Sequence, residues 1–179
     1  YESIRARIPF TPEIALVLGS GLGNYASKME VVERIPYGDI AGFPVSTAPG
    51  HVGQFVFGYV EGAPIVAMQG RVHYYEGYDM TDVVLPIRLM KMMGAEILFL
   101  TNAAGGIRQG FSAGDLMLIT GQIATFVPSP LRGANIAELG NRFPDMSHIY
   151  DEDLQQIIRK SACQLDIPLR EGTYIQLPG

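Results

Sequence analysis

Arg71, His73 and Tyr75 stand at alternating positions in Gly70-Arg71-Val72-His73-Tyr74-Tyr75-Glu76-Gly77-Tyr78. A guanidinium is permanently charged, and its planar fork matches the oxygens of a phosphate. An imidazole can donate to an oxyanion or change charge near neutral pH. A phenol has a flat apolar body and a polar tip, which suits a sugar ring. The preceding segment, Ala63–Gln69, reads as a buried strand, and in an extended continuation residues two apart project to the same side. The three side chains would then share one surface just past a strand end, fit for an oxyanion (phosphate foremost) beside a sugar. Taken singly, each has a plainer role: a surface arginine, a hydrogen-bonded core histidine, a packing tyrosine.

Two small-residue stretches support the anion reading. Gly19-Ser20-Gly21-Leu22-Gly23 follows the apolar run Ile14–Leu18. Glycines permit positive φ and close backbone approach, so successive N–H groups can point at an anion, and Ser20 adds a hydroxyl donor. The spacing is G-x-G-x-G, not the G-x-G-x-x-G of dinucleotide folds, and no Gly-Lys-Ser/Thr follows it. The plainer reading is a tight turn out of a strand. Asn102-Ala103-Ala104-Gly105-Gly106 follows the apolar run Ile97–Leu100 with the same logic. Ligands of open α/β sheets bind outside the carboxyl ends of the strands. Convergence of the two loops with the Arg/His stretch carries more weight than any one of them.

Around this core lie residues with two readings each. His51, in Gly50-His51-Val52-Gly53, either presents its ring to the same anion or is a turn histidine. Glu76 and Asp79 either orient His73 or are solvated. His148 reads as surface or capping, and Cys163 as a structural cysteine on a helix face. The spacing of His, Cys and acidic residues matches no metal site.

These groups need elements to position them. Strands are expected at 14–18, 54–60, 63–69, 96–101, 116–120 and 172–177, with a hairpin at Glu61-Gly62. Helices are expected at 80–93, stopped by Gly94 and kinked near its start by Pro86, and at 151–165. The second helix has Leu154, Ile157, Ile158, Ala162 and Leu165 on one face. Residues 121–147 read as a long Pro- and Gly-rich connection, of a length that is usually functional or covered by a partner. Strands alternating with helices imply an α/β fold, and the hairpin makes its twisted β-sheet mixed, flanked by helices.

Composition bounds the function. With 179 residues, 47% of them hydrophobic, the chain can bury one substantial core, and a single domain over 1–179 is expected. A net charge of −5 with no Lys/Arg cluster argues against nucleic acid. No apolar run approaches the ~20 residues of a membrane span. The lone cysteine fits a reducing, cytoplasmic setting. The last strand ends at Pro178-Gly179 without a closing helix, so the chain is expected to be incomplete at its C-terminus.

Taken together, Gly19–Gly23, Pro49-Gly50-His51, Gly70–Gly77, Thr101–Gly106, Gly114-Asp115 and Asn141-Arg142-Phe143-Pro144-Asp145-Met146 resemble the trimeric purine nucleoside phosphorylases, in family order over nearly the whole chain. The resemblance implies a three-layer α/β/α phosphorylase fold. It implies a phosphate site of Ser20, His51, Arg71, His73 and the backbone N–H of Ala103, with Arg71 and His73 catalytic. It sets Tyr75 against the ribose and carries Phe143 into a neighbouring subunit's site in a homotrimer. The family's base-binding groups come from a Ser-Phe-Glu segment and a later Asn and His, none of which these residues contain. The implied activity is reversible phosphorolysis of purine (deoxy)ribonucleosides in purine salvage, with phosphate as co-substrate and no cofactor or metal. 5′-Methylthioadenosine phosphorylase and a non-catalytic nucleoside or phosphate binder are the competing readings.

Overall fold

The apolar run after Glu13 forms strand β1 (Ile14–Leu18), buried on both faces as its lack of alternation requires. β2 (Glu30–Pro36), β3 (Gln54–Val60), β4 (Ala63–Gln69) and β5 (Ile97–Leu100) join it in the order β2-β3-β4-β1-β5. The computed structural model describes residues 1–45 and 52–178, which fall into two compact units, Tyr1–Ala103 and Ala104–Gly179.

In the first unit β1 pairs in parallel with β4 and β5, while β2, β3 and β4 run antiparallel, so the sheet is mixed. The β3–β4 hairpin closes between Val60 and Ala63. Glu61 and Gly62 both have positive φ, 49° and 80°, the geometry whose twist matches that of the paired strands. Alternate residues fill two cores. Ala15, Val17, Phe55, Phe57, Val66 and Met68 face one side, with Leu89, Met90 and Met93 from helix α1 (Met80–Met92) and its end. Leu16, Leu18, Val56, Ile65 and Ala67 face the other, with Ala26 and Met29 from the 3-10 segment Gly23–Lys28 and its end. Pro86 lies within α1 and is buried.

The sequence reading did not foresee β2. It is an edge strand with Ile35 as its only fully buried residue, and a register shift between Val31 and Glu33 breaks its alternation.

In the second unit β6 (Leu116–Ile123) pairs in parallel with β7 (Leu169–Ile175) beside helix α2 (Glu152–Gln164). β6 therefore runs into the expected loop, across a register shift between Ile119 and Gly121, and β7 starts three residues before the expected 172. The expected face of α2 is corrected in part: Ala162 is buried and Leu154 and Ile158 are partly buried, as expected, but Ile157 and Leu165 are exposed and Gln155 is buried. Gln155 tolerates burial because its amide donates to the Tyr150 carbonyl and its oxygen accepts from Arg159 Nη2. Asp151 caps the helix, accepting from the Leu154 N–H at 2.9 Å.

Among the described residues no helix is long and apolar enough to cross a membrane.

Candidate functional site

Two neighbouring parallel strands of the first unit, β1 and β5, end at the same height, with Val17 opposite Leu100. Each feeds one of the small-residue loops. The first loop is buried at Gly19 and exposed from Ser20 to Leu22. Its turn closes by the Leu22 N–H donating to the Gly19 carbonyl at 3.0 Å, with Gly21 at φ 82°. At the second loop, Asn102 and Ala103 are exposed.

The two loops touch through backbone. A Cβ added at Gly19 would lie 2.6 Å from the Thr101 carbonyl oxygen and 2.8 Å from Asn102 Cα, so only glycine permits this approach. Thr101 Oγ1 accepts from the Gly19 N–H at 2.8 Å and donates to the Val17 carbonyl at 2.8 Å. Arg71 Nη1 donates to the Leu18 carbonyl at 3.0 Å. The peptide unit between Leu18 and Gly19 is therefore gripped at its oxygen by Arg71 and at its N–H by Thr101. Further along, Gln69 Nε2 donates to the Gly23 carbonyl at 2.8 Å and Gln54 Nε2 donates to Gln69 Oε1 at 2.7 Å, which ties the turn to β3 and β4.

The Arg71–Tyr75 stretch is extended only as far as His73, which has φ −120° and ψ 152°. Arg71 and His73 flank the buried Val72, as alternation requires. Tyr74–Glu76 then forms a 3-10 turn, ended by Gly77 at φ 93°. Tyr75 is thus not carried by strand alternation. The turn instead stacks its ring on His73, with centroids 4.8 Å apart and planes 17° apart, while leaving Tyr75 62% exposed.

Glu76 fixes the imidazole. Its Oε1 accepts from the His73 backbone N–H at 2.7 Å and lies 2.9 Å from Nδ1, and the carboxylate is only 3% exposed. An oxygen already accepting from a backbone N–H takes a second donor, which assigns the Nδ1 position a proton facing Glu76. Asp79 is exposed and makes no side-chain cap of α1. Tyr37 is fully buried, and its hydroxyl donates at 2.8 Å to the carbonyl of Gly70, at the head of the stretch. Burial pushes this phenol's pKa well above its ordinary value.

His51 lies outside the described residues. Phe143, in the second unit, is 85% exposed, with the Arg142 guanidinium carbon 5.5 Å from its ring centroid. His148 is exposed, 3.8 Å from Glu152. Cys163 is an exposed free thiol. No group of three or more His, Cys, Asp or Glu capable of holding a metal occurs among the described residues.

The sequence reading missed the supporting roles of Thr101, Gln69 and Tyr37. Gln69 left a trace, as a polar residue closing an apolar strand. Tyr37 and Thr101 left none that separates them from packing residues.

A family model described as "Phosphorylase superfamily" matches residues 13–179. The chain is 49% identical over 176 residues to purine nucleoside phosphorylase 1 of Bacillus subtilis, covering 98% of this chain and 65% of that protein. It is 43% identical over 173 residues to the Bos taurus purine nucleoside phosphorylase, covering 94% and 60%. A solved structure of Schistosoma mansoni purine nucleoside phosphorylase isoform 2, in complex with cytosine and ribose-1-phosphate, superposes with a TM-score of 0.87 at 44% identity. That match covers 97% of this chain and 63% of the other. The chain thus spans less than two thirds of the length of each of these relatives.

Proposed function

The chain belongs to the phosphorylase superfamily, and on that premise we propose that it serves a purine nucleoside phosphorylase. The reaction is the reversible cleavage of a purine (deoxy)ribonucleoside by phosphate to the free base and (deoxy)ribose 1-phosphate. The observation that carries this reading is the junction of the two small-residue loops at the ends of β1 and β5, with Arg71 seated on the Leu18 carbonyl at their root. Naming of the relatives as purine nucleoside phosphorylases, one of them in complex with ribose-1-phosphate, supports the substrate class.

Each residue has a task in this scheme. Arg71 neutralises the phosphate, while the Ser20 hydroxyl and the Ala103 N–H orient it, with His51 as a further donor. His73, held at Nδ1 by Glu76, presents Nε2 to the phosphate. As the C–N bond breaks, the sugar becomes an oxocarbenium-like cation. The phosphate held below it stabilises that charge and then forms the new C–O bond, while the departing base takes up a proton. The residues named here position and place charge, and need no cofactor or metal for that. Tyr75, stacked on His73, sets the ribose above the phosphate.

We assign Phe143 to the ribose region of a neighbouring copy in a homotrimer. Its exposure beside Arg142 supports that role, since an unburied aromatic on a long connection is what a partner's pocket would cover. A family match that runs through both compact units supports reading them as one phosphorylase domain. A single cysteine in the sequence supports a cytoplasmic setting.

The test is an assay of the full-length protein with inosine and with 5′-methylthioadenosine, with and without phosphate. Phosphate-dependent release of hypoxanthine and ribose 1-phosphate from inosine is expected. Preference for methylthioadenosine, or nucleoside binding by calorimetry with no sugar phosphate formed, would overturn the assignment.

A further inference from the structure

We propose that Thr101 is a positioning residue that locks the two small-residue loops into one phosphate site, an inference that rests on the phosphate reading above. Thr101 is the first residue past β5, and its backbone N–H donates to the Val17 carbonyl at 3.1 Å. That bond alone continues the β1–β5 ladder. The side chain does more. Its hydroxyl donates to the same Val17 carbonyl and accepts the Gly19 N–H, both at 2.8 Å, so it joins the last turn of one strand to the first residue of the neighbouring loop.

The consequence is orientational. A peptide plane is fixed when both its polar groups are held. The Leu18–Gly19 plane is held by Arg71 at the oxygen and by Thr101 at the N–H. Ser20 leaves directly from that plane, and Ala103 lies two residues beyond Thr101. One hydroxyl thereby sets the direction of the Ser20 donor, the spacing to the Ala103 N–H, and the perch of the Arg71 guanidinium. Valine has the shape of threonine without its hydroxyl. At this position it leaves the Gly19 N–H and the Val17 carbonyl without that partner, freeing the plane to rotate while β5 stays paired.

Phosphate binding to the full-length protein is the direct readout, measured by calorimetry alongside KM values for phosphate and inosine. Thr101→Val is expected to weaken phosphate Kd and KM about tenfold, the effect of one hydrogen bond at about 1.4 kcal/mol, with inosine KM changed by less than about twofold. Thr101→Ser, which keeps the hydroxyl, is expected to restore phosphate affinity to within about threefold of wild type. In the wild-type protein, saturating phosphate is expected to slow hydrogen exchange at the Gly19 amide, a reading that needs no variant to fold.

An unchanged phosphate Kd in Thr101→Val, equal losses for phosphate and inosine, a Ser variant as weak as Val, or a Gly19 amide indifferent to phosphate would overturn the proposal. A wild-type protein that binds phosphate without cleaving inosine would refute the enzymatic reading alone, leaving Thr101 to be judged on Kd. Absence of phosphate binding by wild type overturns both.

Discussion

Glu76 holds His73 twice with one oxygen: Oε1 accepts the backbone N–H at 2.7 Å and faces ring Nδ1 at 2.9 Å. The double contact fixes both the start of the 3-10 turn and the tautomer of the ring. Glu76→Gln is expected to keep the turn but lose the carboxylate acceptor at Nδ1, lowering kcat/KM for phosphate by roughly ten- to a hundredfold, as for about 1.5–3 kcal/mol of charge-assisted hydrogen bonding. Steady-state kinetics at varied phosphate check this. An unaltered kcat/KM would show that His73 is oriented without Glu76.

Tyr37 predicts an alkaline weakness. Its folded-state ionisation is pushed up by burial, so the unfolded chain gives up this proton first. The stabilisation is complete below the ordinary phenol value of 10.0 and declines as pH rises above it. Urea unfolding from pH 8 to 11 should give wild type a steeper loss than Tyr37→Phe, by up to about 1.4 kcal/mol per pH unit. At neutral pH the Phe variant should lose about 1 kcal/mol, because the Gly70 carbonyl keeps no hydroxyl donor. Parallel slopes would contradict the burial argument.

Asp151 caps α2 by one bond to the Leu154 N–H. Asp151→Ala should cost about 0.5–2 kcal/mol and Asp151→Asn much less, with kcat unchanged in both at a temperature where they are folded. Thermal unfolding with a parallel assay checks it. A kcat loss in the Asn variant would place this cap nearer the chemistry than proposed.

These cases show what could be read from residue order. The strands buried on both faces were legible as unbroken apolar runs, Ile14–Leu18 above all, and the hairpin from Glu61-Gly62. β2 was hidden because its register shift places Val32 outside the alternation and an edge strand buries little. The α2 face was right at Leu154, Ile158 and Ala162 but missed Gln155, which is buried through hydrogen bonds that an apolar pattern cannot record. In the candidate site, Arg71 and His73 stood out by chemistry and spacing. Thr101 did not, since its contact with Gly19 spans 82 residues and depends on two strands ending level.

Phe143 gives a prediction for assembly. Phe143→Ala in the full-length protein is expected to raise nucleoside KM by about tenfold or more, the scale of about 1.4–3 kcal/mol for a lost aromatic contact, with phosphate Kd unchanged. Sedimentation should give three copies for wild type. A monomeric wild type, or a Phe143→Ala protein with ordinary nucleoside KM, would remove the partner role.

The central claim is that Arg71 anchors the phosphate that cleaves the nucleoside. The most direct measurement is phosphate-dependent cleavage of inosine by full-length Arg71→Ala, followed to saturating phosphate. The account predicts a loss of about a hundredfold or more in kcat/KM for phosphate, as for a charge-assisted contact of about 3 kcal/mol. Near-normal turnover at saturating phosphate, with an unchanged phosphate KM, would contradict it.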